Sequence, residues 1–316
     1  MLKIKKIMKR FFGILICALA FAACDDGDLV VDTISFDEVA TTTCGDANNL
    51  LFKLKESEAL MLNIPKENFK EEAAVVKLPI NEQNQVVYNF YDSKVTANSI
   101  CDLIPPASPN VKNQWNAESG VIEITTVVVK KVDETNNSTS ITGYKHNIIF
   151  KNITFGKGDG TTQFYESLGF GDYLKNITPL ALAFKQDLRF CASAGTVYET
   201  SSAEALILTI DPLLIVNEDT PKDKPRTGVI GSVKNKLVYN LYSSVVPIDT
   251  FCGATDLLVK EEWLGVEGGT IEVTTTSIGN AFTHTIVFKN VTLARKNNSF
   301  RLGDVYKFGN LQTVKQ

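Results

Sequence analysis

The sequence predicts an all-β protein made of two similar units, and two observations carry that prediction. Val, Ile, Thr, Asn and Gly are frequent and long amphipathic helical periods are scarce, a pattern that favours strands. The chain also contains the same unit twice. The longest matching block, residues 146–154 against residues 284–292, is identical at six of nine positions.

Four further blocks repeat in the same order, which chance does not produce. They are 58–62 with 204–208, 87–91 with 238–242, 122–126 with 271–275, and the Phe-Gly pairs at 170–171 and 308–309. We therefore predict one domain over residues 32–178 and a second over residues 179–316, each long enough to bury a core of its own.

The repeated blocks are predicted to be strands, because β-branched and aromatic residues dominate segments 86–91, 121–131 and 145–155. In the segment 145–155 apolar residues lie on both faces, which indicates burial on both sides. The last two segments are joined by a polar segment, residues 133–142, and the second unit has a shorter link around residues 278–281, so a shared core with variable links predicts a hairpin. The result is two antiparallel β-sandwiches, with the immunoglobulin fold as an architectural template.

The positions of four cysteines also repeat between the two units. Cys44 and Cys101 of the first unit occupy the positions of Cys191 and Cys252 in the second. Four cysteines allow three pairings. The simplest places one disulfide in each unit, Cys44–Cys101 and Cys191–Cys252, whereas pairing between units is less compatible with domains that fold independently.

The N-terminus predicts export. A basic stretch with five Lys and Arg residues precedes an uncharged apolar run that ends in small residues, which is typical of a secretory signal. The run is about half as long as a membrane-spanning helix requires. We predict a signal peptide over 1–23 and an acidic leader over 24–31.

Two cleavage sites compete. Ordinary signal peptidase could cut after the small residues near Ala22 and release a soluble protein. Alternatively, residues 21–24 form a lipobox, although Phe21 stands where an aliphatic residue is usual, and Cys24 is lipidated. Lipidation of Cys24 leaves an even number of cysteines in the mature chain, so we favour it.

The mature chain resembles surface lipoproteins of Bacteroidota, in particular of flavobacteria. The resemblance rests on the acidic run after Cys24 and on a pattern in each half: Cys, Trp, Gly-x-Ile-Glu, His-x-Ile, Lys-Asn-x-Thr and Phe-Gly. It implies a lipid anchor in the outer membrane and exposure at the cell surface. The leader could also be a solvated tether of a protein retained elsewhere in the envelope.

No sequence motif supplies an active centre. His146 and His284 are equivalent in the repeat, and each shares a strand face with Ile and Phe, which indicates a structural role rather than one ligand or base per domain. The repeated acids Glu123 and Glu272 could form a glycosidase pair but alternate with apolar residues, as on a solvated strand face. We predict no catalytic, cofactor-binding or metal-ligating residues.

The two tryptophans, Trp115 and Trp263, are the candidates for ligand contact, since aromatic residues on β-proteins often stack on sugars. Their equivalent positions also fit a role in the core. The mature chain carries a net charge near −9, because the −4 of the full chain includes five basic residues of the signal. An acidic surface argues against a nucleic-acid partner.

These observations favour a non-catalytic surface lipoprotein that binds or scaffolds, with a protein or glycan as its ligand and with the membrane contacted through lipid. A glycan-binding accessory protein or a glycan-active enzyme is the first alternative. An envelope assembly factor is the second, and it predicts a stable partner protein.

Overall fold

The computed structural model describes residues 33–45, 49–248, 250–252 and 257–314. The predicted signal peptide, the leader and Cys24 lie outside these residues. Contacts divide the chain into two compact units, Met1–Ser35 and Phe36–Gln316. Only residues 33–35 of the first unit are described, and all the strands given below belong to the second unit. No described helix has the length and apolar character needed to cross a membrane.

The first repeat forms one sheet of eight strands. Their bounds are β1 Thr42–Thr43, β2 Leu50–Lys55, β3 Glu58–Asn63, β4 Ala74–Pro79, β5 Gln85–Tyr91, β6 Val111–Asp133, β7 Ser138–Gly156 and β8 Thr162–Asn176. The order across the sheet is β1-β2-β3-β5-β6-β7-β8, and β4 pairs with β6. A 3-10 turn, Lys66–Asn68, follows β3, and a short helix, α1, covers Ala97–Cys101 after β5.

The second repeat forms a sheet of nine strands. Their bounds are β9 Asp187–Cys191, β10 Thr196–Ser201, β11 Glu204–Thr209, β12 Arg226–Val229, β13 Lys236–Tyr242, β14 Val259–Gly265, β15 Thr270–Ile278, β16 Ala281–Arg295 and β17 Asn298–Val314. Two 3-10 turns cover Pro212–Leu214 and Thr250–Cys252. Besides pairing with β9, strand β17 pairs with β16, so β9, β10, β11, β13, β14, β16 and β17 close into a ring.

The all-β prediction is confirmed, and the sequence repeat is also a repeat of strand register. In the first sheet Leu60 lies opposite Tyr88, which lies opposite Trp115. In the second sheet the same chain of neighbours is Leu206, Tyr239 and Trp263. The register therefore identifies equivalent residues in the matching strands of the two repeats.

The finer immunoglobulin-like sandwich is not confirmed. An immunoglobulin domain packs two sheets joined by Greek-key connections. Here the strands of each repeat lie in a single sheet, and most neighbours in the sheet are also neighbours in sequence. Short turns between consecutive strands produce this order, because they bring each strand back beside the one before it.

The hairpin of β6 and β7 in the first repeat reaches the core of the second. It extends to the pair Asp133 and Ser138, and two side chains from β7, Ile141 and Tyr144, are buried in the same cluster as Leu208 and Phe288. The equivalent hairpin of β15 and β16 is shorter.

Hydrogen bonds hold this hairpin against the start of β17. The backbone N–H of Arg301 donates to Thr139 Oγ1 over 2.8 Å, and that of Asp304 donates to the carbonyl of Asn136 over 2.6 Å. The hairpin is thus fixed over the interior of the second repeat, and this packing creates an apolar cavity between the repeats.

One of the two predicted disulfides is present. Cys44 and Cys101 are bonded across a sequence separation of 57 residues. Cys191 and Cys252 are thiols, one buried and one exposed, so the predicted Cys191–Cys252 bond is not formed in this structure. The Cys191 thiol instead interacts with Cys252 and lies 3.2 Å from Ser193 Oγ, and these hydrogen bonds hold its pKa below the usual value.

Candidate functional site

A cavity of about 180 Å³ lies where the two repeats meet. Its walls come from both repeats and from the segment that joins them. They are Glu71, Thr139, Ser140, Ile141, Tyr144, Ile177, Thr178, Leu180, Leu182, Leu241, Glu261, Trp263 and Phe300. An apolar cavity of roughly 150 Å³ takes a benzene molecule, so this space fits one six-membered ring and little more.

Trp263 forms one wall of the cavity and is fixed from two sides. Its indole Nε1–H donates to Glu261 Oε2 over 2.9 Å, and the Phe300 ring meets it edge to face with centroids 5.0 Å apart. The Arg295 guanidinium lies 6.0 Å from the indole centroid. Strand alternation explains the geometry, because residues two apart on β14 share a face.

Two carboxylates line the cavity, and each has a basic neighbour. Glu261 Oε1 lies 3.6 Å from Arg295 Nη1, and Glu71 Oε1 lies 2.7 Å from Lys175 Nζ. Both pairs are partly exposed, so they contribute little to stability and mark the rim of the cavity.

Tyr144 contributes a hydroxyl group to the lining of the same cavity. Its oxygen accepts a hydrogen bond from Asn298 Nδ2 over 3.1 Å. Burial raises the pKa of Tyr144, and the negative charges of Glu71 and Glu261 raise it further. The tyrosine therefore stays protonated and is able to donate a hydrogen bond.

Two more carboxylates are buried in the second repeat. Glu199 Oε1 accepts the backbone N–H of Asp187 over 3.3 Å, and burial raises the pKa of Glu199. Glu204 Oε1 accepts the backbone N–H of Ala181 over 3.1 Å. The other oxygen of each carboxylate is buried without a hydrogen-bond partner among the described residues.

Glu204 lies close to the cavity wall. It is opposite Leu241 in the sheet, and Leu241 lines the cavity. Ala181, which donates to Glu204, stands between the lining residues Leu180 and Leu182. The joining segment is therefore tied to the second sheet by the Glu204 carboxylate.

The first repeat shows whether the fold requires an acidic residue at the equivalent strand positions. By register, Asn113 is the equivalent of Glu261, and Lys53 is the equivalent of Glu199. Lys53 is buried and donates to the carbonyl of Phe36 over 3.1 Å, and burial lowers its pKa. The strand positions of Glu261 and Glu199 thus accept a neutral or a basic side chain, so the acid at these two positions is specific to the second repeat, whereas Glu204 has an acidic equivalent, Glu58.

Trp115 does not share the environment of its equivalent. It is as buried as Trp263 but packs against Tyr88 at 5.1 Å and Phe155 at 6.5 Å, and it forms no part of the cavity wall. Lys157 Nζ lies 4.2 Å from its ring centroid. Of the two predicted ligand contacts, only Trp263 reaches the candidate site.

The two histidines are buried in equivalent settings. Thr126 Oγ1 lies 2.8 Å from His146 Nδ1, and Thr275 Oγ1 lies 2.9 Å from His284 Nδ1. His284 Nε2 is also hydrogen-bonded, 2.9 Å from Thr313 Oγ1. His146 Nε2 has no partner among the described residues, and burial together with nearby Lys175 lowers the pKa of His146 to about 4.

The repeated acids Glu123 and Glu272 are not brought together. Each pairs with a lysine on its own sheet: Glu123 with Lys77 at 2.9 Å and Glu272 with Lys289 at 2.7 Å. Within the described ranges no group of three or more His, Cys, Asp or Glu side chains is arranged to hold a metal ion.

Sequence reasoning identified Trp263 but missed Glu71, Tyr144 and Glu261. The sequence contains one signal for Glu261. The equivalent position of the first repeat holds an asparagine, so the two repeats differ there in charge. Glu71 and Tyr144 reach the cavity through the packing of one repeat on the other, which no local pattern encodes. Comparison with known protein families, curated proteins and solved structures found no match.

Proposed function

We propose that this chain is a non-catalytic binding protein that holds one ring-sized group of a ligand in the cavity between its repeats. The observation that supports the proposal is the cavity itself, with apolar walls contributed by both repeats. A concave, largely apolar space that gathers a few polar groups is the usual form of a ligand site.

Binding fits the cavity better than catalysis does. A general acid–base mechanism needs groups poised to exchange protons with a substrate. The two lining carboxylates, Glu71 and Glu261, are engaged by Lys175 and by Arg295 with Trp263. Both carboxylates therefore already act as hydrogen-bond or ion-pair acceptors for neighbouring side chains in this structure.

A glycan end is a second candidate ligand, favoured by the aromatic walls. Trp263, Tyr144 and Phe300 supply rings, and Glu71 and Glu261 supply acceptors for hydroxyl groups. The cavity has room for a single pyranose ring rather than for a chain. A terminal sugar is therefore the form of glycan that fits.

The cellular setting is the one that the sequence predicts, and it is part of the proposal. A lipid on Cys24 would hold the protein in the outer membrane with the two tandem β units exposed at the cell surface. The short acidic leader over 24–31 would then separate the binding unit from the lipid. Labelling of the acyl group, lost in Cys24→Ser, tests this part.

Filling the cavity tests the binding proposal. Ser140 lines the cavity from the hairpin of the first repeat, so the Ser140→Phe change places a ring in the space that a ligand would occupy. We expect this variant to lose binding of benzyl alcohol and methyl glucoside, two neutral ring-sized probes. Saturation-transfer NMR on the mature chain measures binding at millimolar concentrations.

A matched variant separates cavity filling from the mere addition of a ring. Ser167, on β8 of the same repeat, is exposed and accepts a hydrogen bond from Lys151 Nζ over 3.0 Å, so Ser167→Phe should bind the probes as the unaltered protein does. Equal binding by Ser140→Phe and Ser167→Phe would contradict the proposal, as would the absence of binding of either probe to the unaltered protein.

A further inference from the structure

We propose that the group held in the cavity is an organic cation, a protonated amine attached to an apolar ring-sized body. The inference rests on the proposed function, since it names the chemical class of ligand for the same cavity. Four features of the site support it.

The first feature is charge. The described residues that line the cavity include two carboxylates, Glu71 and Glu261, and no lysine or arginine. Glu204, behind the joining segment, is also buried and has no lysine or arginine partner among the described residues. The basic partners of the two lining acids, Lys175 and Arg295, lie outside the lining, so an ammonium group placed here would contact the carboxylates without contacting a basic side chain of the wall.

The second feature is unused hydrogen-bonding capacity. An ionised carboxylate has about four acceptor positions. Glu261 uses them for one indole N–H and one distant guanidinium, and Glu71 uses them for one lysine. Glu204 Oε2 is also buried, but its neighbour is the Tyr239 hydroxyl, and neither group lines the cavity. An ammonium group carries three N–H donors, which match acceptors of this kind.

The third feature is the aromatic wall. Trp263, Tyr144 and Phe300 all line the same small space. Aromatic faces attract cations through the ring quadrupole, and the attraction grows when the cation is removed from water. A neutral apolar ligand would gain from these walls as well, but it would leave the carboxylates without a new partner.

The fourth feature is the comparison between the repeats. The fold places Asn113 and Lys53 where the second repeat has Glu261 and Glu199. Burying a charge costs free energy unless it is paired. Of these two acids, Glu261 lies in the cavity wall, and a cationic ligand there would give it a partner that the uncharged Asn113 of the first repeat does not need.

The test compares two probes of nearly the same size and shape. Benzylamine is protonated at neutral pH, whereas benzyl alcohol is neutral. We expect the mature chain to bind benzylamine about tenfold to a hundredfold more tightly, because a hydrogen bond to a charged group contributes about 1.5–3 kcal/mol. Isothermal titration calorimetry or ligand-detected NMR measures both dissociation constants.

Variants of a cavity acid and of a remote acid test whether the preference for benzylamine arises from the cavity. Glu261→Gln keeps the shape of the side chain and should reduce the preference for benzylamine at least about fivefold, with little change for benzyl alcohol. Glu272→Gln, a surface acid of the same repeat paired with Lys289 and remote from the cavity lining, should leave the preference unchanged. Unfolding curves confirm that both variants are folded.

The outcomes separate the two proposals. Equal affinity for the amine and the alcohol would overturn the cationic ligand but leave the binding cavity standing. A preference for the amine that survives in Glu261→Gln and in Glu71→Gln would also overturn it, since the cavity acids would then play no part. Binding of neither probe would overturn both proposals.

Discussion

Replacement of Cys44 and Cys101 together by serine is expected to lower the free energy of unfolding by about 4 kcal/mol. The disulfide spans 57 residues, and in the chain-entropy model a bond across a loop of that length removes this much freedom from the unfolded chain. Beside the bond, Ile100 packs against a buried cluster that includes Ala59 and Val95. Urea unfolding of the oxidised protein measures the loss.

The second cysteine pair provides the control for this prediction. Cys191→Ser with Cys252→Ser removes two cysteines that form no disulfide with each other in the structure, so the variant should lose much less stability than the first pair does. A loss as large as that from the first pair would mean that Cys191–Cys252 is oxidised in solution, as the sequence predicts. Mass measurement after thiol alkylation counts the free thiols directly.

The prediction for the first pair would be contradicted by a different result. If Cys44→Ser with Cys101→Ser unfolds at the same urea concentration as the unaltered protein, the bond contributes nothing measurable. An unchanged slope of the unfolding transition would further show that the surface exposed on unfolding is the same in both proteins.

The repeat made much of the fold predictable. Matching blocks such as 146–154 and 284–292 identified the strands, and the polar stretch between 131 and 145 identified a hairpin. Periodicity reports which residues share a face of a strand, and that information was sufficient for the all-β class. The repeat also identified Cys44 and Cys101 as a pair.

The same information could not determine how strands assemble into sheets. Whether β17 returns to pair with both β9 and β16, and so closes the second sheet, depends on contacts between distant residues. Such contacts leave no local sequence pattern, because side chains alternate along a β-strand in the same way in an open sheet and in a closed one. The sandwich expectation came from the pattern of strands and hairpins, which does not distinguish these arrangements.

The candidate site was predictable only in part, for the same reason. Trp263 was identified because it is a repeated aromatic residue. Tyr144 and Ile141 line the site because the β6–β7 hairpin is long enough to contact the second repeat. The equivalent β15–β16 hairpin is shorter. Length differences between the repeats were visible in the sequence, but their consequence depends on how the repeats pack.

Acidification from pH 7 to pH 4 is expected to cost the native protein about 3 kcal/mol through His146 alone. Burial, reinforced by Lys175 and opposed by Glu71, lowers the pKa of His146 to about 4 in the native state. In the unfolded chain a histidine titrates near 6.5. Between these two values the unfolded state binds the proton and the native state does not, so stability falls as the pH drops through this range.

The structure shows why His146 resists protonation. Its side chain is fully buried, Phe69 packs edge-on at 5.2 Å, and the Tyr173 ring stacks at 5.8 Å. Nδ1 contacts Thr126, but Nε2 faces no hydrogen-bond partner among the described residues. The protonated ring would carry a hydrogen on both nitrogens and a buried positive charge, and the Nε2–H would have no acceptor among the described residues.

The variant His146→Gln isolates this contribution. We expect the difference in unfolding free energy between the unaltered protein and the variant to change by about 3 kcal/mol between pH 7 and pH 4, in favour of the variant at low pH. His284→Gln is the matched control. Burial lowers the pKa of His284 as well, but its Nε2 has Asn217 and Thr313 as partners, so its change should be smaller. Parallel pH curves for His146→Gln and the unaltered protein would show that His146 gains its proton as easily in the native state as in the unfolded chain.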